Sequence, residues 1–451
     1  MKKQAIILAA GEGTRMKSAL PKSLHKTAGK TLLQHVTDAA EAAGMDELIV
    51  IIGHGADEMK AALTPNAKAV LQEKPLGTGH AVQMAAGQID PEALVLVLCG
   101  DAPLLRPETL QALITIHEQH QHAATTLSAR LENPFGYGRI LRDGSNRLQA
   151  IVEEKDADET QKTIKEINAG TYCFSGQALL DVLPKLTSDN SQGEYYLTDT
   201  LALLREAGRS VGVHCLEDPD EIKAVNTRAQ LAEVESIFRD RINHYHMANG
   251  VTMINPDHTY IGTDVIIGRD TCIEPGVILE GKTRIGEGCT IGQNSRITDS
   301  TLGDRVKVTQ STLRESTVGD DTGIGPFANL RPGSNLGKRV RIGDYVEIKK
   351  ANIGDDTTAA HLAYIGDAEV GSHVNIGCGV VFVNYDGKKK STTIVEDHAF
   401  IGSNSNLVAP VTIETGAYIA AGSTITSDVP SDALAIARGR QRNIDGWTKR
   451  R

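Results

Sequence analysis

The sequence predicts a two-part fold: an α/β domain around a Rossmann-like, mostly parallel sheet, followed by a parallel β-helix of hexapeptide repeats. Two observations predict it. Short apolar runs alternate with amphipathic helical segments over residues 1–227, which is typical of βαβ units around a parallel sheet. After Gly250, aliphatic residues recur at every sixth position, a period that neither a helix nor an ordinary strand has.

The N-terminal elements follow from these runs. Strands are predicted at residues 5–10, 48–52, 70–72 and 94–99, and helices at residues 32–43 and 109–117. Apolar residues then fall at helical spacing towards Met247, which predicts a connecting helix. The domains are therefore residues 1–227, a linker helix of residues 228–250, and residues 251–451 with a basic C-terminal tail.

The step of six residues runs unbroken from Ile261 to Ile297 and resumes at Val318 after a slip. Each six-residue segment would form one flat side of a triangular prism, with its aliphatic residue pointing inward. Interruptions at residues 354–364 and near Lys388 predict insertions that form loops on one face. Such loops tend to carry function.

Charge and cysteine usage restrict the class of protein. The 47 Lys and Arg residues against 57 Asp and Glu give a net charge of -10, which argues against nucleic-acid and membrane-surface partners. No apolar stretch approaches the roughly 20 residues of a membrane span. Six scattered cysteines without a CxxC pair indicate free thiols in a reducing cytoplasm. HEQHQH at 117–122 and HYH at 244–246 resemble metal clusters, but solvated helix faces are the favoured interpretation.

The segment LAAGEGTRMKSALPKSLH, residues 8–25, indicates an anion site. Neither a GxGxxG fingerprint nor a GxxxxGK loop is present, because both need glycine where Met16 stands. What remains is a strand, a flexible turn from Gly11 to Gly13, and the cations Arg15 and Lys22. Glycines let backbone N–H groups approach an oxyanion. The alternative is a tight turn with solvated cations.

The apolar run ALVLVLCGD, residues 93–101, ends in Asp101. A carboxylate at the carboxyl end of a central parallel strand lies where such sheets bind ligands. Mg²⁺ prefers oxygen ligands and shares them with substrate phosphates, so Asp101 suits a magnesium site. The alternative, which Pro103 makes credible, is that Asp101 caps the next helix.

Several motifs occur in the order found in sugar-nucleotide pyrophosphorylases. After LAAGEGTRM and LPKSLH come LGTGHA (76–81), CGDAP (99–103), GYGRI (136–140), IVEEKDA (151–157), EINAG (166–170) and GEYYLTD (193–199). Over its whole length the chain resembles the bacterial bifunctional N-acetylglucosamine-1-phosphate uridyltransferase/glucosamine-1-phosphate N-acetyltransferases. The resemblance implies a nucleotidyltransferase domain followed by a left-handed β-helix.

The resemblance also implies the residues of the first site. Arg15 and Lys22 would be catalytic by neutralising phosphates, and Asp101 with Asn226 would bind Mg²⁺. The remaining nucleotide and sugar contacts would come from Leu8, Ala9, Ala10, Gly11, Lys22, Gln72, Gly77, Thr78, Gly138, Glu153, Asn168 and Asn226. Gln72, Gly77 and Thr78 would surround the uracil, and Gly138, Glu153 and Asn168 would contact the sugar.

Four polar segments break the hexapeptide pattern: NLRPGS (329–334), VEIKKA (346–351), AHLAYIGDAEVG (360–371) and VNYDGKKK (383–390). By resemblance they form an acetyl-transfer site with His361 as general base, and we infer that Glu347 orients or polarises it. The substrate contacts would be Arg331, Lys349, Tyr364, Asn375 and Lys390. The acetyl-CoA contacts would be Cys378, Asn384, Tyr385, Ser403, Ala421 and Arg438.

The expected activity is acetylation of glucosamine-1-phosphate by acetyl-CoA, then transfer of UMP from UTP to N-acetylglucosamine-1-phosphate. The products are UDP-N-acetylglucosamine, a cell-wall and lipopolysaccharide precursor, and pyrophosphate. A homotrimer and small-molecule partners are expected. Two alternatives remain: a β-helix that only oligomerises or regulates, and a non-enzymatic scaffold. His361, Lys349 and the NYDG segment argue against the first, and Arg15, Lys22 and Asp101 against the second.

Overall fold

The structure, a computed structural model, describes residues 2–450 and divides into two compact units, residues 1–238 and 239–451. The division falls within a long helix, Arg228–Ala248, at the place where a connecting helix is predicted. Each unit has its own buried apolar core.

The first unit is built on a nine-stranded sheet. Its strands in chain order, β1 to β9, are Lys3–Ala9, Glu47–Ile52, Ala67–Leu71, Leu94–Cys99, Ala124–Arg130, Arg139–Arg142, Leu148–Val152, Glu166–Ser175 and Val211–Cys215. The main order is β9-β5-β8-β4-β1-β2-β3, with β6 paired to β8 and β7. Strands β4, β1, β2 and β3 are parallel, whereas β8 runs antiparallel between β4 and β5. The α/β class is confirmed.

Eight α-helices accompany this sheet and lead into the second unit. They are α1 to α8: Leu32–Ala42, Ala56–Ala61, Thr78–Met84, Pro107–Gln119, Glu159–Lys162, Gly176–Val182, Asp199–Glu206 and Arg228–Ala248. A two-stranded hairpin, Lys26–Thr27 and Lys30–Thr31, precedes α1. Helix α1 begins at Thr31, whose side chain accepts a hydrogen bond from Gln34 N, as a helix N-cap does.

Strands β1 and β4 lie at the centre of the sheet and bring the two predicted anion-site motifs together. Both strands are almost wholly buried because helices cover both faces of a parallel sheet. Leu8 of β1 is opposite Cys99 of β4, so both strands end at the same edge. The segment after β1 and Asp101 after β4 therefore meet at the carboxyl edge of the sheet. This is the edge at which parallel sheets bind ligands.

The second unit is a parallel β-helix. Its strands, β10 to β35, are Thr252–Met253, Tyr260–Ile261, Ile266–Ile267, Cys272–Ile273, Ile278–Glu280, Arg284–Ile285, Thr290–Ile291, Arg296–Thr298, Thr301–Leu302, Lys307–Val308, Thr312–Arg314, Ser316–Val318, Gly323–Ile324, Asn329–Leu330, Ser334–Leu336, Arg341–Ile353, Thr358–Val370, Asn375–Ile376, Val381–Val383, Thr393–Val395, Phe400–Ile401, Asn406–Val408, Val411–Ile413, Tyr418–Ile419, Thr424–Ile425 and Leu434–Ala435. Ile273 pairs with Ile291, 18 positions further on, so three six-residue sides make one coil. The predicted inward aliphatic residues form one continuous core, which confirms the hexapeptide β-helix.

One of the two predicted insertions is wrong. Thr358 pairs with Arg341 on one side and Asn375 on the other, 17 positions away in each case, so residues 354–364 belong to a coil one residue shorter than 18. His361 and Tyr364 lie on the long strand Thr358–Val370 rather than in a loop. In contrast, Asn375 pairs with Phe400, 25 positions on, so the lysine-rich stretch near Lys388 is an insertion.

The interpretation of the histidine-rich stretches as solvated helix faces is also wrong in part. His117 and His246 are only 4% exposed, because they lie on the sides of α4 and α8 that pack inward. Burial lowers the pKa of His117 to about 4, and His117 Nδ1 shares a hydrogen bond with Thr125 Oγ1. Within residues 2–450, no three His, Cys, Asp or Glu side chains are grouped to hold a metal ion. No helix in that range has the length and apolarity needed to cross a membrane.

Candidate active sites

The first site begins at the turn after β1. Gly13 has φ +63°, in the left-handed region, and a Cβ atom there would lie 2.6 Å from Cβ of Lys22. Glycine is required on both counts. The short helix Thr14–Met16 follows, with Met16 buried and Arg15 exposed. The turn thus packs against Lys22 and leaves the Arg15 guanidinium accessible to an anion.

Lys22 is the centre of the charged part of this site. Its ammonium donates hydrogen bonds to Asp101 Oδ2 and to Asn226 Oδ1, the latter at 2.9 Å. The side chains of Lys22 and Asp101 are 15% and 19% exposed. The backbone supports this contact, because Val225 N donates to Asp101 O at 2.8 Å. Two predicted magnesium ligands therefore converge on one cationic position.

A pocket of about 280 Å³ lies beside Lys22 at the carboxyl edge of the sheet. Its lining includes nine predicted residues: Leu8, Ala9, Ala10, Gly11, Lys22, Gln72, Gly77, Thr78 and Asp101. Ser23, Pro75, Ala81, Cys99 and Glu194 complete the lining and were missed at the level of sequence. Cys99 and Glu194 lie within the motifs CGDAP and GEYYLTD, so these motifs could have predicted that both residues belong to the site.

The loop before α3 is held by the segment around Tyr195. Gly77 has φ +111°, and a Cβ atom there would lie 2.5 Å from Tyr195 O. Gly79 N donates to Tyr195 O at 2.7 Å, and Leu197 N donates to Thr78 Oγ1 at 3.1 Å. Gln72 is buried and donates to Gly77 O at 3.2 Å. The motifs LGTGHA and GEYYLTD therefore form one wall of the pocket.

The three predicted sugar contacts lie together, outside the lining of that pocket. Asn168 N donates to Gly138 O at 2.8 Å, and a Cβ atom at Gly138 would lie 3.3 Å from Glu153 Oε2. Burial raises the pKa of Glu153, which accepts a hydrogen bond from Thr198 at 3.2 Å. Asn168 Nδ2 donates to Tyr172 OH at 2.7 Å.

Cys99 links the sugar cluster to the pocket, because it lines the pocket and its thiol donates to Gly170 O at 3.4 Å. Burial and the neighbouring Asp101 carboxylate raise the pKa of Cys99 to about 12. The thiol therefore stays protonated at neutral pH and is not a nucleophile.

The second site lies along the β-helix, where one cluster of polar residues surrounds Lys349. Its ammonium donates to Asp367 Oδ2 at 3.1 Å, and Asn384 Nδ2 donates to the same carboxylate and to Tyr364 OH. The neighbouring Lys349 side chain lowers the pKa of Lys390. Asp367 was missed at the level of sequence.

This arrangement suits an anion, because two neighbouring lysine side chains lie near a single carboxylate. Arg331 lies on the preceding coil, where its Nη1 donates to Glu347 Oε1 at 2.8 Å. Asn384, predicted as an acetyl-CoA contact, belongs to the Lys349 cluster through its own contacts. Tyr385 is exposed in the insertion, with its hydroxyl donating to Gly387 O. Asn375 lies on a different side of the prism, paired with Thr358.

The other predicted acetyl-CoA residues follow one edge of the prism in successive coils. Gly379 N donates to Leu362 O, Asn404 N to Cys378 O, and Gly422 N to Ser403 O. A column of equivalent corner positions, which we call the corner column, therefore continues from His361 through Cys378 and Ser403 to Ala421. A Cβ atom at the next residue, Gly422, would lie 3.8 Å from Arg438 Cδ, so Arg438 lies beside the end of this column.

His361 is paired with a residue other than the one expected. Its Nδ1 lies 2.7 Å from Asp344 Oδ1 on the adjacent coil. Glu347, the expected partner, is instead opposite Tyr364 in the strand register and bonded to Arg331. The expectation that Glu347 orients His361 is not supported by these contacts, because the register places Asp344 next to the imidazole.

Comparisons with known proteins agree with both halves of the chain. Residues 5–217 match the MobA-like NTP transferase domain, residues 260–356 the GMPPB C-terminal domain, and residues 392–427 the bacterial transferase hexapeptide (six repeats). The bifunctional protein GlmU of Alkaliphilus oremlandii is 58% identical over 451 residues, covering 100% of this chain and 99% of the relative. The GlmU proteins of Alkaliphilus metalliredigens and Geobacillus sp. are 55% and 50% identical over 451 residues, with 99% and 98% of those relatives covered.

The chain belongs to the bifunctional GlmU family. It is a bifunctional enzyme with a nucleotidyltransferase domain and a hexapeptide acyltransferase domain. Because GlmU relatives match over both halves, neither a purely oligomerising β-helix nor a non-enzymatic scaffold accounts for the chain.

Proposed function

We propose that the pocket beside Lys22 transfers UMP from UTP to N-acetylglucosamine-1-phosphate and that the β-helix site acetylates glucosamine-1-phosphate with acetyl-CoA. The observation that carries the proposal is the convergence of Lys22, Asp101 and Asn226 at the carboxyl edge of the sheet. It supplies the charge arrangement that a reaction between two phosphorylated substrates needs.

In the first reaction, a phosphate oxygen of the sugar-1-phosphate attacks the α-phosphorus of UTP, and pyrophosphate leaves. No protein nucleophile is needed, in agreement with the protonated Cys99 thiol. Arg15 and Lys22 offset the negative charge of the approaching phosphates, and the backbone after β1 holds the nucleotide. Catalysis is mainly positioning and charge neutralisation.

The residues present fit a magnesium ion. Asp101 and Asn226 offer a carboxylate and an amide oxygen to one position, which the Lys22 ammonium already shows to be favourable for a cation. Both residues would hold Mg²⁺, which supplies further neutralisation of phosphate charge when bound.

In the second reaction, His361 Nε2 accepts a proton from the sugar amine, whose nitrogen attacks the thioester carbon of acetyl-CoA. A C–N bond forms and the C–S bond breaks. Coenzyme A leaves as a thiolate that takes the proton held by His361 and becomes the thiol. Arg331, Lys349 and Lys390 would bind the sugar phosphate, and the corner column with Asn384 and Tyr385 would contact acetyl-CoA. The cationic Lys349 cluster supports the first assignment.

We also propose an oligomeric state, a location and a cellular role for the enzyme. A homotrimer is supported by exposed aromatic residues on the prism, such as Phe327 and Tyr345, whose rings stack at 5.3 Å while about half exposed. A cytoplasmic location and a role in cell-wall precursor synthesis are consistent with the use of UTP and acetyl-CoA.

The test uses the purified full chain with UTP, Mg²⁺, acetyl-CoA and glucosamine-1-phosphate. We expect UDP-N-acetylglucosamine, identified by mass. His361→Ala should reduce coenzyme A release at least 100-fold and spare pyrophosphate release, and Asp101→Ala should do the reverse. Absence of the product, or loss of both activities in either folded variant, would contradict the two-site proposal.

A further inference from the structure

Asp344 stands beside the expected general base, and neither the sequence motifs nor the family match assigns it a role. Resting on the acetyl transfer proposed above, we infer that Asp344 is the positioning residue for His361. It holds the imidazole through Nδ1, keeps the lone pair on Nε2, and stabilises the imidazolium formed during the reaction.

The backbone places the two side chains at equivalent corners of adjacent coils. Asp344 and His361 are direct partners in the parallel pairing of strands Arg341–Ile353 and Thr358–Val370. Each precedes a left-handed residue, Tyr345 at φ 56° and Leu362 at φ 31°, so both project from the same kind of turn. The corner geometry is therefore repeated from one coil to the next.

Gly343 permits this close approach. A Cβ atom at Gly343 would lie 1.8 Å from the backbone oxygen of Ala360, so no other residue fits there without moving the coil. The residues directly before Asp344 and His361 thus meet backbone to backbone. The 2.7 Å contact between His361 Nδ1 and Asp344 Oδ1 rests on a fixed backbone rather than on two free side chains.

The contact also determines the tautomer. The hydrogen bond from His361 lowers the pKa of Asp344, so the carboxyl group is ionised at neutral pH. An ionised carboxylate only accepts hydrogen bonds, so Nδ1 must carry the proton and Nε2 the lone pair. When Nε2 accepts the amine proton, the positive imidazolium stays 2.7 Å from a negative charge. Asp344 itself exchanges no proton.

The other acidic residue nearby in sequence is engaged elsewhere. Glu347 accepts a hydrogen bond from Arg331, and both side chains are 40% exposed. His361 and Asp344 are 59% and 40% exposed, so substrate can reach the pair. The effects of the Asp344 charge and of its hydrogen-bond acceptor can be measured separately, because asparagine keeps an acceptor oxygen without the charge.

The experiment compares the full chain with Asp344→Ala and Asp344→Asn. Coenzyme A release is measured over a range of glucosamine-1-phosphate concentrations to separate kcat from KM, and pyrophosphate release by the same preparations reports folding. We expect Asp344→Ala to lower kcat for acetyl transfer about 10- to 100-fold with KM within twofold, the usual scale for general-base assistance. Asp344→Asn should lose less.

Asp356→Asn is the matched control. Asp356 also accepts hydrogen bonds across coils, from Arg339 at 2.7 and 2.8 Å, but it lies outside the corner column. This variant should keep the wild-type kcat and KM. A loss confined to KM, or a loss in Asp344→Asn as large as that in Asp344→Ala, would overturn the inference. Wild-type protein without acetyl transfer, or His361→Ala with full activity, would instead refute the proposed function.

Discussion

At the scale of single residues, Glu153 is a carboxyl group whose surroundings disfavour its ionised form. Burial raises its pKa, and Asp199, Asp156 and Glu194 add to the shift. A carboxyl group with a raised folded-state pKa favours folding at low pH. Stability therefore falls as pH rises from the unfolded pKa through the folded one, and the loss is complete above that range.

Glu153→Gln should remove this loss while keeping the hydrogen bond from Thr198. We expect the thermal unfolding transition of the first unit, followed by calorimetry, to rise at pH 7, by a stability change of about 1 kcal/mol. The difference should vanish near pH 4, where the wild-type carboxyl group is protonated in both states. Glu154→Gln, at a carboxylate whose pKa is lowered by Arg139 and the Gly136 backbone, is the control and should not be more stable than wild type at pH 7. A wild-type advantage at pH 7 over Glu153→Gln would refute this account.

The identity of the His361 partner shows why one residue of the site escaped sequence reasoning. A strict repeat of 18 would place Gly343 beside His361, and proximity in the motif suggested Glu347. The coil is instead 17 residues long at this point, so Asp344 takes the position. A single shortened side changes which side chains meet. The shortening is the step of five residues from Ile348 to Ile353, which the prediction of an insertion at residues 354–364 overlooked.

At the scale of elements, the loop before α3 is a rigid wall whose shape depends on Gly77. Alanine at this position would be strained by the φ of +111°, and its Cβ atom would clash with the backbone of Tyr195. We expect Gly77→Ala to lower uridyl transfer at least 100-fold, because the loop must leave the segment that lines the pocket. Coenzyme A release should stay within twofold of wild type.

Gly87→Ala is the matched control for this loop. It lies in the short helix Ala86–Gln88, and a Cβ atom there would have nothing within 4 Å. Both activities should therefore be unchanged. Equal losses in Gly77→Ala and Gly87→Ala would show that glycine substitution in this region acts through general destabilisation rather than through the pocket wall.

The two folds differ in how much their sequences reveal. In the β-helix, each aliphatic residue packs against its counterpart one coil away, so the contact pattern repeats along the chain and the period of six predicts the core. In the sheet, strand Glu166–Ser175 inserts antiparallel beside Leu94–Cys99, a pairing between distant segments that no local pattern encodes. The charged contact between Lys22 and Asn226 is non-local in the same way, and only motif resemblance suggested that Asn226 belongs to the site.

At the scale of the whole molecule, the residues assigned to each proposed site come from one compact unit. The residues of the uridyltransferase site lie between Leu8 and Asn226, inside residues 1–238, and those of the acetyltransferase site lie between Arg331 and Arg438, inside residues 239–451. Each unit also has its own buried apolar core. The two reactions should therefore share only a diffusible intermediate, N-acetylglucosamine-1-phosphate.

An equimolar mixture of His361→Ala and Asp101→Ala chains tests this independence. Each variant alone should yield no UDP-N-acetylglucosamine from glucosamine-1-phosphate, because each lacks one step. The mixture should yield it after a lag that lengthens on dilution, since the intermediate must leave one active site and reach another through solution. Added N-acetylglucosamine-1-phosphate should abolish the lag and should restore product formation by the His361→Ala chain alone. If both variants keep their single activities but the mixture remains inactive, the intermediate does not pass through solution, and the two sites are coupled within one assembly.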